Sequence, residues 1–399
     1  MARGISAQEA IALAKSGDAD AQYLLSSALH ERGQFEESLH WLRLAAAQGL
    51  VPARMALASF LMDGRHCPRD GRQAVDLLEP LAATQVQANL LLGELHGFAA
   101  LGIGDRESGL RHLLAAARMG DGGALRQLAL LGACHGRRDL LPALLDAASR
   151  RGDAAAIHLL ARHPAGMTAG APAPDIEWVL LEQALPQLAG DMPLPAAETL
   201  HAAPLIRMLP GAFPPLLLDW LIHRATPLVQ RSQIVDAVTG EVRADPMRTS
   251  SHITFGPRQH DHVLEAIERC IGRVTGLPVA NSEFLQILRY RPGEEFRPHV
   301  DYFNESGGGA YKSLAEGGQR AQTVLVYLND DYSGGSTAFP RLQLDIKARR
   351  GDMLHFHNLG ADGLGDRDTL HAGVPVTTGE KWLLSQWIRS ESYRDRLAW

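Results

Sequence analysis

A histidine and an aspartate stand two residues apart in the segment YRPGEEFRPHVDYF, at His299 and Asp301. On an extended segment, side chains two residues apart point to the same side. An imidazole nitrogen and a carboxylate oxygen can therefore reach one metal ion. A third ligand has to come from elsewhere in the chain, and His371, at the head of HAGVPV, is the candidate.

Two histidines and one carboxylate leave three coordination positions open, which is the ligand set of non-haem Fe(II) oxygenases. Two open positions suit a bidentate 2-oxo acid and one suits dioxygen. Lys381 lies ten residues after His371, and VPVTTGEK between them predicts a hairpin that places this cation on the next strand. A buried lysine requires an anionic guest, and the distal carboxylate of 2-oxoglutarate fits. Tyr290 and Thr337 offer hydroxyl donors to the same carboxylate.

Other residues compete for the distal ligand position. His355 and His357 in LHFHN are candidates, and Arg367 falls ten residues after His357. We prefer His371, because Lys381 begins a predicted strand whereas Arg367 lies in the turn-rich GADGLGDRD. The histidines of the N-terminal helices are interpreted as surface or packing residues: His30, His40, His96, His112 and His158.

The elements that must position these residues follow Pro204. Short alternating or β-branched runs, separated by turn signals such as NDDYSGG and RRGD, predict strands. The runs are LQILRY, QTVLVYLN, LQLDIKA, DMLHFH and KWLLSQWI, and the predicted helices PPLLLDWLIHRA and HDHVLEAIERCIGRVTG precede them. Many short strands with glycine-rich turns favour a sandwich or a barrel.

The first 165 residues are repetitive and rich in alanine and leucine. Similar segments surround Gly17, Gly49, Gly120 and Gly152, with gaps of 32, 71 and 32 residues. A fifth segment, LAATQVQANLLL, has Thr84 in place of the glycine. A period of about 35 residues predicts an α-solenoid, with each glycine in a left-handed position that ends a helix.

This stretch resembles Sel1-like repeats, which are relatives of the tetratricopeptide family. Gly33, Gly64 and the helix EESLHWLRLAAAQG match best. The stretch is either a structural cap without a partner or a platform that binds other proteins. We prefer the platform, because solenoids expose concave surfaces that suit extended partners. We expect a repeat domain at 1–165, a Pro/Gly/Ala-rich linker with one short helix at 166–204, and a catalytic domain at 205–399 with its core at 283–390.

The catalytic part resembles the prolyl 4-hydroxylase domain in the order and spacing of its motifs. The matching runs are RTSS, LQILRYRPGEEFRPHVDYF, TVLVYLNDDYSGGSTAFP and HAGVPVTTGEKWLLSQW. The resemblance implies a double-stranded β-helix, or jelly roll, with flanking helices, so the whole chain is a multidomain α+β protein. It also implies catalytic iron ligands at His299, Asp301 and His371, and 2-oxoglutarate contacts at Lys381, Tyr290 and Thr337. Arg320, Trp387 and Phe296 would line the substrate side, and L-ascorbate (vitamin C) would act as the rescuing reductant.

The chain departs from the family pattern in two places. Phe296 stands where the family usually has tyrosine, which removes a hydroxyl near the substrate. After Asp301, the segment NESGGGAYKSLAEGGQ is expected to be a mobile glycine-rich loop that closes over a peptide.

Composition limits the partners. A net charge of −6 argues against a nucleic-acid partner, because binding to phosphates requires a basic patch. Three separated cysteines favour neither disulfides nor a cysteine metal site. The N-terminus lacks a secretory pattern and no apolar run reaches membrane length, so we expect a cytoplasmic protein that does not span a membrane.

Three hypotheses follow for the function. The first is a dioxygenase that hydroxylates an unactivated C–H bond of a prolyl residue in a peptide or protein, with release of succinate and CO₂, its substrate brought by the repeats. The second is a hydroxylase of a free amino acid or another small molecule, in which the repeats are an interaction scaffold. The third, an inactive oxygenase fold used as a scaffold, is disfavoured by the intact metal ligands and Lys381.

Overall fold

The computed structural model describes residues 7–99, 101, 103–163, 175–235, 242–244, 247–303 and 310–394. The chain divides into two compact units. The first, here called the repeat unit, ends at Ala124, and the second, the sheet unit, begins at Leu125 and extends to Leu397. The domain limits at residues 165 and 204 stay predictions.

Helices make up the repeat unit, and each of them packs against the next one along the chain. They are α1 (Ala7–Ser16), α2 (Ala19–Glu31), α3 (Phe35–Ala47), α4 (Val51–Asp63), α5 (Gly71–Leu78), α6 (Val86–Gly97) and α7 (Arg106–Arg118). Glycines at the helix ends have the predicted left-handed conformation, with φ of 101° at Gly17, 87° at Gly49, 98° at Gly120 and 79° at Gly152. The predicted helical solenoid is confirmed.

Small side chains fill the places where these helices meet. Ala45, Ala53 and Ala58 are completely buried, alongside Leu57 and Leu61. Alanine leaves room for the backbones of paired helices to come close, and the leucines supply most of the buried apolar surface. The alanine-rich composition of this half therefore serves the packing of one helix on the next.

The remaining helices are α8 (Gly122–Cys134), α9 (Leu141–Arg150), α10 (Ala154–Arg162), α11 (Trp178–Ala189), α12 (Pro215–Ala225), α13 (His262–Thr275) and α14 (Ala310–Gly317). Helix α11 is the helix predicted in the linker, and it buries Leu181, Leu185 and Leu188. Just after it, Arg273 of α13 donates a 2.7 Å hydrogen bond to the Met192 carbonyl. The chain from residue 175 is thus a packed part of the sheet unit, whereas the run PAGMTAGAPAP lies outside the described residues.

Antiparallel strands form the rest of the sheet unit. They are β1 (Glu198–His201), β2 (Ile206–Leu209), β3 (Gln230–Arg231), β4 (Gln233–Val235), β5 (Val242–Ala244), β6 (Ser251–Thr254), β7 (Gln286–Tyr290), β8 (Phe296–His299), β9 (Arg320–Tyr327), β10 (Ser333–Gly334), β11 (Thr337–Phe339), β12 (Leu344–Ile346), β13 (Met353–His357), β14 (His371–Gly373), β15 (Val376–Thr378) and β16 (Lys381–Arg389). The large sheet has the order β1-β2-β13-β9-β16-β7-β6-β3, and the small sheet has the order β12-β11-β14-β8. Two further strand pairs, β10 with β15 and β4 with β5, complete the pairing among the described residues.

The two sheets share one apolar core. Leu325, Leu354 and Leu383 of the large sheet belong to the same buried cluster as Phe339 and Ile346 of the small sheet. The rings of Phe339 and Phe356 meet edge to face at 5.2 Å between centroids. Two facing antiparallel sheets around one core are the arrangement of a jelly roll, so the fold predicted for this part is confirmed.

The opposite face of the large sheet is covered by α13. Gln386 of β16 donates a hydrogen bond of 3.3 Å to Glu268, and Gln322 of β9 donates one of 3.3 Å to the Thr275 carbonyl. Residues alternate between the two faces along each strand. Lys381, Leu383 and Ser385 therefore face the small sheet, whereas Leu384 and Gln386 face α13.

Two sequence predictions about local structure are wrong. The hairpin expected between His371 and Lys381 does not form, because β14 belongs to the small sheet and β16 to the large one. The segment after Asp301 was predicted to be a loop throughout, but its second part forms α14 (Ala310–Gly317). Its glycine-rich beginning, residues 304–309, lies outside the described residues.

Candidate functional site

Strand pairing brings the three predicted metal ligands together. In the small sheet, His371 of β14 lies opposite His299 of β8, and their ring centroids are 4.3 Å apart. The chain bends just after β8, and this bend turns the carboxylate of Asp301 between the rings. The Asp301 oxygens lie 3.6 Å from Nε2 of His299 and 3.5 Å from Nε2 of His371. The arrangement presents two imidazoles and one carboxylate to one point.

Neighbouring groups fix the orientation of all three side chains. Nδ1 of His299 lies 2.8 Å from the Arg297 carbonyl, and Nδ1 of His371 lies 3.0 Å from the Thr369 carbonyl. Each Nδ1 must carry a proton to donate to a carbonyl, so each Nε2 presents its lone pair to the centre. The Thr323 hydroxyl donates a 2.7 Å hydrogen bond to Asp301.

Electrostatics prepare these groups to bind a cation. Burial favours the neutral form of His371 and lowers its pKa to about 4. Burial alone would raise the pKa of Asp301, but His371, His299 and the Thr323 hydrogen bond outweigh it, and the pKa falls well below its usual range. At neutral pH the site therefore offers the neutral imidazole of His371 and the ionised carboxylate of Asp301, the forms that bind metal ions.

A lysine from the facing sheet enters the same cavity. Lys381 of β16 is buried, with 2% of its surface exposed, and its ammonium group donates a 2.7 Å hydrogen bond to the Gly335 carbonyl. Its Nζ atom lies 5.6 Å and 5.2 Å from the ring centroids of Tyr290 and Tyr327. Burial lowers the pKa of Lys381 to about 7, because an ammonium ion loses hydration energy there.

Eight of the nine residues predicted for the site line this cavity. They are His299, Asp301, His371, Lys381, Tyr290, Thr337, Trp387 and Phe296. The ring of Phe296 stacks on the imidazole of His299, with centroids 3.4 Å apart. Thr337 accepts a 2.7 Å hydrogen bond from the Tyr327 hydroxyl.

Arg320, the ninth residue, lies behind Trp387. Its guanidinium carbon is 3.6 Å from the centroid of the Trp387 ring. Two hydrogen bonds of 2.7 and 2.8 Å join the guanidinium group to the carboxylate of Glu283. This geometry holds the indole in place, and the structure thus puts Arg320 against a residue of the cavity wall.

The competing histidines point away from the cavity. The ring of His355 lies on the α13 side of the large sheet, where Nδ1 accepts a 2.9 Å hydrogen bond from Arg207 and Nε2 is 2.6 Å from Gln322. His357 follows on the same strand, next to His355 at 5.4 Å between centroids. Arg367 is exposed in a short 3₁₀ turn. These positions support the preference for His371.

Sequence reasoning missed the residues that support the ligands. Thr323 was not singled out, although it is a polar residue at an inward position of an apolar strand. Behind it, Asn358 donates a 2.9 Å hydrogen bond to the Thr323 hydroxyl. Arg248, which also lines the cavity, was noted as part of RTSS without a role. No pattern in the sequence indicates that Asn358 reaches this position.

Comparisons with known proteins agree with this chemistry. Residues 285–389 match the 2OG-Fe(II) oxygenase superfamily. Prolyl 4-hydroxylase 1 of Arabidopsis thaliana is 33% identical over 210 residues, which cover 49% of this chain and 72% of that protein. No described helix is both long and apolar enough to cross a bilayer.

Solved structures match each part of the chain separately. A viral collagen prolyl hydroxylase of Paramecium Bursaria Chlorella virus-1, in its 2OG complex, is 25% identical with a TM-score of 0.36, and covers 46% of this chain and 95% of that one. A Sel1 repeat protein from Oxalobacter formigenes is 26% identical with a TM-score of 0.27, and covers 30% and 93%.

The family assignment rests on the sequence relatives. The alignment with the plant prolyl 4-hydroxylase spans more than two thirds of that relative, at 33% identity. The matched superfamily uses Fe(II) and 2-oxoglutarate. The matched part of this chain, residues 285–389, contains the three candidate ligands and Lys381. The chain belongs to the prolyl 4-hydroxylase family of 2OG-Fe(II) oxygenases.

Proposed function

We propose that this protein binds Fe(II) through His299, Asp301 and His371, and that it hydroxylates an unactivated C–H bond of a prolyl residue in a peptide or protein. The observation that carries the proposal is the pairing, in one cavity, of these ligands with a buried lysine from the facing sheet. Fe(II) and 2-oxoglutarate, with dioxygen as the oxidant, would supply the oxidising chemistry when bound: one atom of O₂ enters the succinate that forms with CO₂ from 2-oxoglutarate, and the other enters the new hydroxyl group.

The donor set fits Fe(II). Two imidazoles and one carboxylate that share one side of a metal leave positions for a bidentate 2-oxo acid and dioxygen. Thr323 and the carbonyls of Arg297 and Thr369 hold the three ligands in their orientations before any metal arrives. Such supporting contacts commonly change metal affinity by about 10–100-fold.

The cavity also fits the dianion of 2-oxoglutarate. Among the described residues, the acceptor of the Lys381 ammonium group is the neutral Gly335 carbonyl, which does not balance a buried positive charge. A carboxylate guest would balance it, with Thr337 and Tyr290 as hydroxyl donors. Lys381 thus binds and orients the co-substrate, and the apolar core around it excludes water.

The substrate would contact the aromatic side of the cavity, formed by Phe296 and Trp387. Arg320 supports the Trp387 indole from behind. Phe296 stacks on an iron ligand, and the Trp387 ring forms part of the cavity wall. A flat aromatic wall suits a proline ring, which has no N–H group to satisfy. The names of the relatives, prolyl 4-hydroxylases, support the same substrate class, and the repeats would bring the polypeptide. L-ascorbate is the reductant that we expect to restore Fe(II) after unproductive turnover.

The proposal is tested by anaerobic titration of the purified full-length protein with Fe(II) and then 2-oxoglutarate. The readout is the visible charge-transfer band of the complex. We expect a band in the wild type and its loss in His371→Ala. In Lys381→Met the half-saturating 2-oxoglutarate concentration should rise roughly 10–150-fold, the effect of losing a hydrogen bond to a charged group. The matched control is His357→Ala, which removes a histidine of the same unit outside the cavity.

A substrate assay separates the two catalytic hypotheses. Proline-containing peptides and free amino acids are offered with Fe(II), 2-oxoglutarate and ascorbate, and mass spectrometry detects the gain of one oxygen atom. Hydroxylation of peptides alone supports the proposal, whereas hydroxylation of free amino acids alone replaces it with the small-molecule activity. If the wild type shows neither the charge-transfer band nor metal affinity, both catalytic hypotheses fail, and the protein would be a binding scaffold.

A further inference from the structure

A second group of metal-ligating side chains lies in the repeat unit. Potential ligand atoms of Glu79, His96 and His112 all lie within 4.8 Å of one another. They come from three elements: the 3₁₀ turn after α5, the end of α6, and the middle of α7. The sequence alone gave both histidines a surface or packing role.

The close packing of α6 and α7 holds the two histidines in place. A Cβ atom at Gly109 would lie 2.6 Å from the Gly97 Cα atom and 2.7 Å from the Gly93 carbonyl oxygen, so the helix backbones touch at these glycines. His96 follows Gly93 by one helical turn, and His112 follows Gly109 by the same spacing. The two imidazoles are therefore parallel, with centroids 5.5 Å apart and an interplanar angle of 10°.

A buried asparagine fixes the tautomer of His112. Asn89, with 1% of its surface exposed, donates a 2.6 Å hydrogen bond from its amide nitrogen to the Ala82 carbonyl. This bond assigns the amide orientation, and its oxygen lies 3.1 Å from Nδ1 of His112. Nδ1 must then carry the proton, which leaves the lone pair on Nε2. Metal-bound histidines show this same outer hydrogen bond.

We propose that Glu79, His96 and His112 bind one divalent transition-metal ion of the Zn²⁺ class. Two imidazoles and one carboxylate are a known zinc ligand set, with a fourth position left for water. Ligand atoms around tetrahedral zinc are about 3.3 Å apart, given metal–nitrogen bonds of about 2.0–2.1 Å. The ligand atoms here lie within 4.8 Å of one another, so the three side chains must close by no more than about 1.5 Å to reach that spacing. The side chain of Glu79 is exposed and free to move. The ion would join α6, α7 and the turn after α5.

A third cluster in the chain does not carry the same inference. His260, Glu265 and Glu268 also have their ligand atoms close together, but the Glu268 carboxylate is paired with Arg394 at 2.5 Å. His260 lies 3.1 Å from Glu265. The negative charges of this cluster are thus already paired with Arg394 and His260, so a cation would have to displace the buried Arg394.

The test uses full-length protein that carries His299→Ala and His371→Ala, which remove the candidate iron site. A chelator first strips the protein of metal. Zn²⁺ is added in competition with a zinc indicator dye. We expect one equivalent to bind. Adding His96→Ala or His112→Gln should weaken binding at least a hundredfold, and Glu79→Gln should weaken it while leaving the fold unchanged by circular dichroism. The matched control is His40→Ala, an exposed histidine of the same unit.

Two results would overturn the proposal. One is the absence of a bound equivalent when the repeat histidines are intact. The other is binding that His96→Ala, His112→Gln and Glu79→Gln all leave unchanged, since the zinc would then lie elsewhere. Neither result depends on the iron site, because both of its histidines are absent in every sample.

Discussion

Lys381 carries an ammonium group in a place where burial disfavours the charge. Its pKa falls to about 7, so the free protein holds the lysine partly neutral at physiological pH. A bound carboxylate stabilises the charged form and raises this pKa again. If Lys381 binds 2-oxoglutarate as proposed, binding would be coupled to the uptake of a proton.

We expect the affinity for 2-oxoglutarate to fall as pH rises above about 7. The anion prefers the protonated lysine, and above that pH the free protein must first take up a proton. The dissociation constant should therefore increase by up to about tenfold per pH unit, measured from the charge-transfer band between pH 6 and 8.5. Lys381→Arg keeps its charge throughout this range and serves as the control, with a flat profile expected. A wild-type profile equally flat would contradict a lysine of lowered pKa at the carboxylate.

The sequence identified the residues that line the cavity better than it identified those behind them. Histidine and aspartate spacing and the motif around Lys381 stand out because those residue types are rare in strands. Thr323 could have been found, since it is an inward polar residue in QTVLVYLN. Asn358 could not, because its contact with Thr323 depends on the pairing of β13 with β9, which no local pattern encodes.

At the scale of elements, the hydrophobic pattern of the sequence predicted where strands and helices form. It did not predict which sheet each strand joins. The turn signals in VPVTTGEK are real, but the turn connects β15, which pairs with β10, to β16 of the large sheet, so β14 and β16 form no hairpin. A turn motif specifies the local reversal of the chain, whereas the strand that pairs with β16 is determined by distant segments, β7 and β9. Lys381 therefore reaches the cavity across the core.

Helices α6 and α7 pack so closely at Gly109 that a single added methyl group should lower the stability of the repeat unit. Gly109→Ala should gain about 1 kcal/mol of helix propensity, but overpacking against Gly97 and Gly93 costs about 1–3 kcal/mol. We expect a lower thermal midpoint for the repeat unit, measured by differential scanning calorimetry. The control is Gly132→Ala in α8 of the sheet unit, where the nearest atom would be 3.4 Å from the new Cβ and the midpoint of that unit should not fall. A Gly109→Ala midpoint at or above that of the wild type would show that the helices can separate without cost.

At the scale of the whole molecule, the chain forms two compact units, and the domain limits at residues 165 and 204 stay predictions. Composition changes most visibly at the Pro/Gly/Ala-rich run, and the sequence therefore suggested a boundary at residue 165. The sheet unit begins at Leu125 and includes α9 to α11. His163 at the end of α10 lies 2.5 Å from the buried Asp219 of α12, and Arg162 lies 3.2 Å from it. Such contacts between helices are not visible in composition.

A fragment that begins at Leu205 should be less stable than one that begins at Gly122. The shorter fragment loses the His163 and Arg162 partners of Asp219, and it loses the packing of α11. Both fragments are compared by thermal unfolding and by the charge-transfer band with Fe(II) and 2-oxoglutarate. We expect the longer one to bind both as the full chain does. Equal midpoints would show that α9 to α11 do not stabilise the sheets.

The placement of His371 and Lys381 on different sheets has a mechanical consequence. The candidate iron ligands lie on the small sheet and in the bend after β8, whereas the lysine lies on the large sheet. A co-substrate that touches the metal at one end and the ammonium group at the other would act as a strut between the two layers. Loading the site would then stiffen the sandwich, and the spacing of its layers would set the length of acid that fits.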